Sequence, residues 1–136
     1  EMIMVTKQQL REIRLLKREI DIDRRRLRAI EAASRTPQLD GLPHGGRGPG
    51  DPTGNTAALL CDLQRQIEAK CARCVALLLQ LQQYIDGIAD SEQRSVFYLK
   101  YVKQYSWTRI ALELGYCDEQ LPRKHHHRFL REQGIR

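Results

Sequence analysis

The sequence predicts an all-α protein in which a long, antiparallel, coiled-coil-like helical hairpin precedes a small C-terminal helix-turn-helix domain. Two apolar stripes with heptad-like spacing, separated by a segment rich in glycine and proline, predict the hairpin. Seven of the eight aromatic residues lie from Phe97 onward, as expected for a small compact core that needs bulky side chains. We therefore expect the hairpin over residues 1–89, with its loop at 36–55, and the helix-turn-helix domain over 90–136.

Two apolar stripes, read over Lys7–Arg35 and Leu59–Ile88, indicate two long helices in which apolar residues recur at intervals of three and four. Each stripe contains one polar residue, Asp23 in the first helix and Lys70 in the second. Antiparallel pairing places these two residues opposite each other, so we interpret the pair as the feature that fixes the register. Because the same stripes are able to pair between chains, a homo-oligomer formed through the hairpin stays open. The apolar stripe positions are Ile13, Leu16, Ile20, Leu27 and Ile30, then Leu60, Leu63, Ile67, Cys74, Leu77, Leu81 and Tyr84.

The loop at 36–55 contains four of the five prolines and six of the nine glycines. It lacks a phosphate-binding motif and follows a helix, so it predicts a flexible connector and not a nucleotide site. We expect Leu39–Gly50 to be mobile and sensitive to protease. Asp51 as an N-cap, with Pro52 in the first turn, predicts that the second helix begins between Asp51 and Thr56.

Capping signals predict the short helices of the C-terminal domain. Asp90 and Gln93 form a capping-box pattern at the start of a helix that is expected to run to about Lys103. Ser106 is expected to cap the next helix and Gly115 to end it. The expected inward residues of these two helices are Val96, Leu99, Tyr101 and Val102, then Trp107, Ile110, Ala111 and Leu114.

Residues 117–133 are expected to form the third, recognition helix of this domain. If that helix starts after Cys117, Pro122 occupies its fifth position, where it donates no hydrogen bond and clashes with the carbonyl four residues earlier. An irregular or late first turn is therefore expected. Lys124 and Arg128 occupy positions where inward aliphatic residues are expected.

The C-terminal residues resemble region four of bacterial sigma factors and, more closely, small phage transcriptional regulators of the ArpU and RinA type. The segment SWTRIALELGY is the most specific part of the resemblance, and the long helices with their Gly/Pro-rich loop are similar to the arrangement in that phage group. The resemblance implies a helix-turn-helix protein that activates or otherwise regulates phage genes and has no enzymatic activity. The matching residues are Arg94, Val96, Leu99, Tyr101, Ser106, Trp107, Ile110, Ala111, Leu114, Gly115, Tyr116 and Leu121.

Double-stranded DNA is the partner that this interpretation predicts, with the recognition helix in the major groove. Arg contacts guanine and Gln contacts adenine through paired hydrogen bonds, while other cations contact phosphate. Thr108 and Arg109 are the candidates on the phosphate side, near the start of the preceding helix. The candidates on the recognition helix are Gln120, Arg123, Lys124, His127 and Arg128.

Composition supports a polyanionic partner, since the formal net charge is +6 and the pI is about 9.4. No apolar run approaches the roughly 20 residues that span a bilayer, and the start lacks the pattern of a signal peptide. We expect a cytoplasmic protein without membrane contact.

No catalytic group, metal site or cofactor is expected. Cys71 and Cys74 form a C-x-x-C inside a helical pattern, where free cysteines serve as small buried hydrophobic residues. His125, His126 and His127 are consecutive, so they point in different directions around a helix and do not all ligate one ion.

Two alternatives to a DNA-binding regulator stay open. One is a DNA-packaging adaptor that resembles the small subunit of phage terminase, which joins a helix-turn-helix to helical assembly elements. The other is a coiled-coil interaction module that contacts another protein, such as RNA polymerase. A closed ring in solution favours the first alternative, and absent or salt-insensitive DNA binding favours the second.

Overall fold

The computed structural model describes residues 4–35 and 52–136, in which every regular element is a helix. The all-α hairpin followed by short helices is confirmed. The second long helix begins at Pro52, within the range Asp51 to Thr56 expected for its start, so the last four residues of the segment 36–55 are helical. The remainder of that loop, including Leu39–Gly50 and the Asp51 cap, lies outside the described residues. The helices are α1 (Lys7–Arg35), α2 (Pro52–Asp86), α3 (Ser91–Phe97) with a π-helical segment at Tyr98–Val102, α4 (Trp107–Leu114) and α5 (Gln120–Glu132).

The chain forms two compact units, and each contains a part of both long helices. Unit 1 comprises the described residues of Glu1–Lys17 and Arg73–Arg136, and unit 2 comprises those of Arg18–Ala72. The domain boundary expected between residues 89 and 90 falls inside unit 1.

In unit 1 the beginning of α1 packs antiparallel to the end of α2. Arg73 Nε donates to Glu12 Oε1 at 3.1 Å, and Gln80 Nε2 donates to the backbone oxygen of Met4 at 3.1 Å. A reciprocal capping box starts α1: the Thr6 hydroxyl accepts from the Gln9 N–H, and the Gln9 amide oxygen accepts from the Thr6 N–H. The buried core draws on α1, α2 and the C-terminal helices through Val5, Leu10, Ile13, Leu77, Leu81, Ile85, Ile88, Phe97, Leu130 and Ile135.

Phe97 is the centre of the core in unit 1 and is fully buried. The rings of Tyr84, Tyr101, His126 and Phe129 surround it, with centroids 4.9 to 5.8 Å from its own. Edge-on and tilted ring contacts of this kind stabilise a core beyond the area they bury. The predicted inward face of this helix included Val96 but omitted Phe97, so the most central core residue was missed.

In unit 2 the predicted Asp23–Lys70 pair is confirmed, with 2.5 Å between Lys70 Nζ and Asp23 Oδ2. Lys70 also contacts Glu19 Oε1 at 2.9 Å. The hydrogen bond with Asp23 and then that with Glu19 raise the pKa of Lys70. Asp23 is 8% exposed, whereas the longer Lys70 side chain is 25% exposed to solvent. One ammonium therefore joins two carboxylates from successive turns of α1.

Lys70 and Asp23 therefore contribute unequally to the stability of unit 2. Lys70→Leu removes the cation from a buried carboxylate, whereas Asp23→Leu leaves Lys70 paired with Glu19. We expect Lys70→Leu to lower the urea midpoint most, Asp23→Leu least, and the double change to fall between them while loosening the register or changing the oligomeric state. Urea denaturation and sedimentation of the three variants measure this order, and a lower midpoint for Asp23→Leu than for Lys70→Leu would contradict it.

The caps of the short helices follow the sequence signals with one correction. Asp90 Oδ1 accepts from the Glu92 and Gln93 N–H groups, and the Ser106 hydroxyl accepts from the Arg109 N–H at 3.3 Å. Gly115 ends α4 in the left-handed conformation at φ 80°. The second half of the expected capping box is wrong, because the Gln93 side chain hydrogen-bonds His126 and not the backbone at Asp90.

Candidate nucleic-acid interface

A buried histidine holds α5 against α3. His126 is 1% exposed, with Nδ1 3.0 Å from Gln93 Oε1 and Nε2 2.7 Å from the Tyr101 hydroxyl oxygen. Because the amide oxygen only accepts, Nδ1 carries the proton and Nε2 accepts from Tyr101. Burial, with the charges of His127 and Lys100, lowers the pKa of His126 to about 3. The imidazole is therefore a neutral structural residue that fixes the rotation of α5.

The π-helical segment Tyr98–Val102 places Tyr101 within reach of His126. Just after this segment, Gln104 Nε2 donates to the Tyr101 carbonyl oxygen at 2.6 Å. Gln104 itself has φ 62°, a left-handed conformation that is uncommon for a residue other than glycine.

The first turn of α5 starts late, as predicted, and it is regular. The helix begins at Gln120, so Pro122 is its third residue and not its fifth. No N–H in the first turn has a helical partner, and Pro122 therefore costs no hydrogen bond and causes no kink. Asp118 Oδ1 accepts from the Gln120 and Leu121 N–H groups at 2.8 and 3.3 Å. Asp118 supplies the cap that Cys117 is poorly suited to provide.

The inward face of α5 consists of Pro122, His126 and Leu130, which are spaced by four residues and buried. The expectation that residues 124 and 128 face inward is wrong for this reason, and Lys124 and Arg128 are exposed. At about 100° per residue, five exposed residues lie within roughly 100° of arc next to this inward face. They are Gln120, Arg123, Lys124, His127 and Arg131. We call this set the α5 outer face.

Four of the five recognition-helix candidates lie on the α5 outer face, and Arg128 lies at its edge. Arg128 Nε is 4.0 Å from Glu132 Oε1, one turn further along the same helix. Arg131 was not among the candidates, although its spacing of four residues from His127 and seven from Lys124 signals a shared helical face.

The two phosphate-side candidates are both exposed near the start of α4. The Thr108 hydroxyl donates to Glu119 Oε2 at 2.9 Å, so it is already bonded to a carboxylate. The Thr108 hydroxyl therefore has to leave Glu119 before it donates to any other acceptor. The Arg109 guanidinium lies over the Tyr105 ring, 3.8 Å from its centroid.

The cations around the α5 outer face affect one another. Burial lowers the pKa of Lys100, and the charges of Arg14 and Arg123 lower it further. Lys100 Nζ lies 4.9 Å from the centroid of the Trp107 ring. Partial burial also lowers the pKa of His127, together with the charges of Arg123, Lys7, Arg131 and Lys100. Positive charge is thus concentrated at this surface, and Lys100 is a second residue that the sequence candidates omitted.

The three consecutive histidines point three ways, as their spacing predicts. His125 Nδ1 lies 3.2 Å from Glu92 Oε1, His126 is buried, and the His127 ring lies beside Trp107 with centroids 6.3 Å apart. Within 4–35 and 52–136 there is no cluster of three His, Cys, Asp or Glu side chains that could hold a metal ion. In the same ranges, no helix has a stretch long and apolar enough to cross a bilayer.

The two cysteines of the C-x-x-C differ in environment. Cys74 is buried at 5% exposure, as expected for a small core residue, whereas Cys71 is only partly buried and accepts from Arg24 Nη2 at 3.6 Å.

No family model, curated protein or solved structure matches this chain. The chemistry of the described side chains, together with the resemblance of the C-terminal motif, is therefore the basis for a functional proposal.

Proposed function

We propose that the protein is a DNA-binding transcriptional regulator that inserts α5 into the major groove of duplex DNA. The observation that carries this proposal is the α5 outer face, where four exposed basic or titratable side chains and one amide share one side of a helix without a carboxylate among them. Such a face matches the charge of the phosphate backbone and the donors and acceptors of base edges.

The packing of α5 against the rest of unit 1 supports this role, because a helix that contacts base edges has to keep one fixed rotation about its own axis. His126 bonds to α3 and to the π-helical segment, and its ring lies 5.5 Å from that of Trp107 at the start of α4. The turn from Gly115 to Glu119 joins α4 to α5, as in a helix-turn-helix. The outer residues of α5 are thus presented by a rigid inner face.

Roles on the α5 outer face follow from side-chain chemistry. Arg123 is proposed to read guanine with its two parallel donors, and Gln120 to read adenine through its amide. Lys124 and His127 are proposed to contact phosphate, with Arg128 at the edge and Arg109 on the α4 side. From the resemblance to ArpU- and RinA-type regulators we propose that the regulated genes are phage genes in the bacterial cytoplasm.

The test of this proposal is a selection of random duplex DNA on the immobilised protein, followed by sequencing of the retained DNA. Arg123→Ala is expected to cost on the order of 1–3 kcal/mol on the preferred site and to relax the preference at one position. Lys124→Ala is expected to weaken all sequences alike and to reduce the salt dependence.

A matched control is Arg65→Ala in unit 2, where an exposed arginine lies 3.6 Å from Asp62. This change removes one positive charge as the α5 variants do, and it is expected to leave DNA affinity nearly unaltered. Equal losses in all three variants would show that overall charge, and not α5, determines binding.

A second candidate function is a helical interaction module that contacts a protein such as RNA polymerase. It is favoured by the exposed aliphatic residues Val75 and Leu79, which lie one turn apart on α2 and are 54% and 61% exposed. Absent or salt-insensitive DNA binding would favour this candidate. A closed ring in native mass spectrometry would instead favour a packaging adaptor of the small-terminase kind.

A further inference from the structure

A second basic surface lies in unit 1 beside the π-helical segment. The first half of α1 and the segment around Lys100 enclose an open cavity of about 430 Å³. Four of its lining side chains are cationic, and no carboxylate lines it. The polar lining residues are Lys7, Gln8, Arg11, Arg14, Lys100 and Gln104.

The regular spacing of α1 produces this surface. Lys7, Arg11 and Arg14 follow one another at intervals of four and three residues, so they share one side of the helix. Leu10 and Ile13 lie on the adjacent, buried side and anchor that turn in the core of unit 1. The backbone positions of the three cations are therefore fixed, while the charged ends of their side chains reach solvent.

The surface is continuous with the α5 outer face. Lys7 also lines a neighbouring open cavity of about 660 Å³, together with Lys124, His127 and Arg131. On the other side of Lys7 lie Arg11 and Arg14. A ligand that lies along α5 therefore meets the α1 cations without crossing an acidic side chain among the residues that line these two cavities.

The cations at this surface repel one another. Burial lowers the pKa of Lys100, and the charges of Arg14 and Arg123 contribute to the lowering, so cations from α1, from the π-helical segment and from α5 are close enough to interact. The one glutamate on this turn of α1, Glu12, is turned toward Arg73 at 3.1 Å. A polyanion that spans the surface relieves the repulsion, which a single small counterion does only locally.

We propose that Lys7, Arg11, Arg14 and Lys100 form a second phosphate-binding surface that holds the DNA backbone beside the stretch read by α5. The proposal rests on the proposed function and extends it from one helix to two elements of unit 1. Lysine and arginine contacts to phosphate carry no base information, so this surface contributes affinity and orientation, and not sequence preference.

The test compares a Lys7→Gln, Arg14→Gln double variant with the wild type. Both are titrated against duplex DNA over a range of salt concentrations. Each lost phosphate contact is expected to reduce the slope of log K against log salt by about 0.9, so the double variant loses about 2 in slope. Preferred and random sequences are expected to weaken by the same factor. The matched control is Arg25→Gln with Arg65→Gln in unit 2, which removes the same charge and is expected to leave the slope unaltered.

Three results separate this inference from the proposed function. A wild-type slope in the Lys7/Arg14 variant, while Arg123→Ala and Lys124→Ala weaken binding, would overturn the second surface and leave the α5 proposal standing. Absence of DNA binding by the wild type would overturn both. The third result comes from binding of inorganic tripolyphosphate. If the double change abolishes that binding without altering the slope of log K against log salt for DNA, the cavity is a site for a small polyanion and the inference is wrong.

Discussion

Acidification from pH 7 to pH 5 is expected to destabilise the fold by about 2 kcal/mol through His126 alone. Burial holds the pKa of His126 at about 3 in the folded protein, below the ordinary value of 6.5. Between these two values the unfolded chain binds a proton that the folded protein does not, so the free energy of unfolding falls as the pH falls. The loss begins near pH 6.5 and continues toward pH 3.

Urea denaturation at pH 7, 6 and 5 measures this effect. His126→Gln keeps a neutral amide at the position, so it is expected to abolish this part of the pH dependence while lowering stability at pH 7, because ring contacts with Phe97 and Trp107 are lost. His125→Gln is the control, since it removes a neighbouring imidazole that is only partly buried. The interpretation is wrong if His126→Gln loses as much stability between pH 7 and pH 5 as the wild type does.

Charge reversal on the α5 outer face is expected to have the largest effect on DNA binding. Lys124→Glu with Arg131→Glu replaces two exposed cations by two carboxylates, which face the phosphates in the proposed complex. Like-charge contact costs several kcal/mol, so we expect a loss of about 2–4 kcal/mol, or roughly 30- to 1,000-fold in affinity at low salt. Fluorescence anisotropy with a labelled duplex measures the loss.

The control for this change is Arg25→Glu with Arg65→Glu, two exposed positions in unit 2 that give the same difference in net charge. We expect this control to reduce affinity only slightly, because the changed charges do not lie on the proposed contact surface. Similar losses in the two double variants would mean that net charge, and not the α5 outer face, accounts for binding.

Local and periodic features of the fold were predictable from the sequence. The heptad stripes and their single polar interruptions predicted the hairpin and the Asp23–Lys70 pair. Ser106 and Gly115 cap α4 as expected, because caps depend on residues next to each other in the chain.

Features that depend on tertiary contacts were not predictable. Phe97 is central because Tyr84 of α2 and His126 and Phe129 of α5 pack around its ring within unit 1. The late start of α5 was predictable from Pro122, whereas the outward position of Lys124 and Arg128 was not, because only the packing of unit 1 shows that Pro122, His126 and Leu130 form the buried face.

The part of the candidate site that depends on local helical periodicity was predictable, and the part that depends on tertiary contacts was not. The recognition-helix candidates required only helical periodicity, and the same periodicity also includes Arg131. Lys7, Arg14 and Lys100 are distant from α5 in sequence, and only the fold of unit 1 brings them to the same surface.

The measurement that tests the central claim most directly is a salt-dependent titration of the wild type and of the Arg123→Ala, Lys124→Ala double variant against duplex DNA. If α5 contacts DNA, log K falls linearly with log salt for the wild type, and the double variant binds more weakly with a shallower slope. Affinity that does not depend on salt, or that is unaltered by the double change, would remove α5 from the interface and contradict the proposed function.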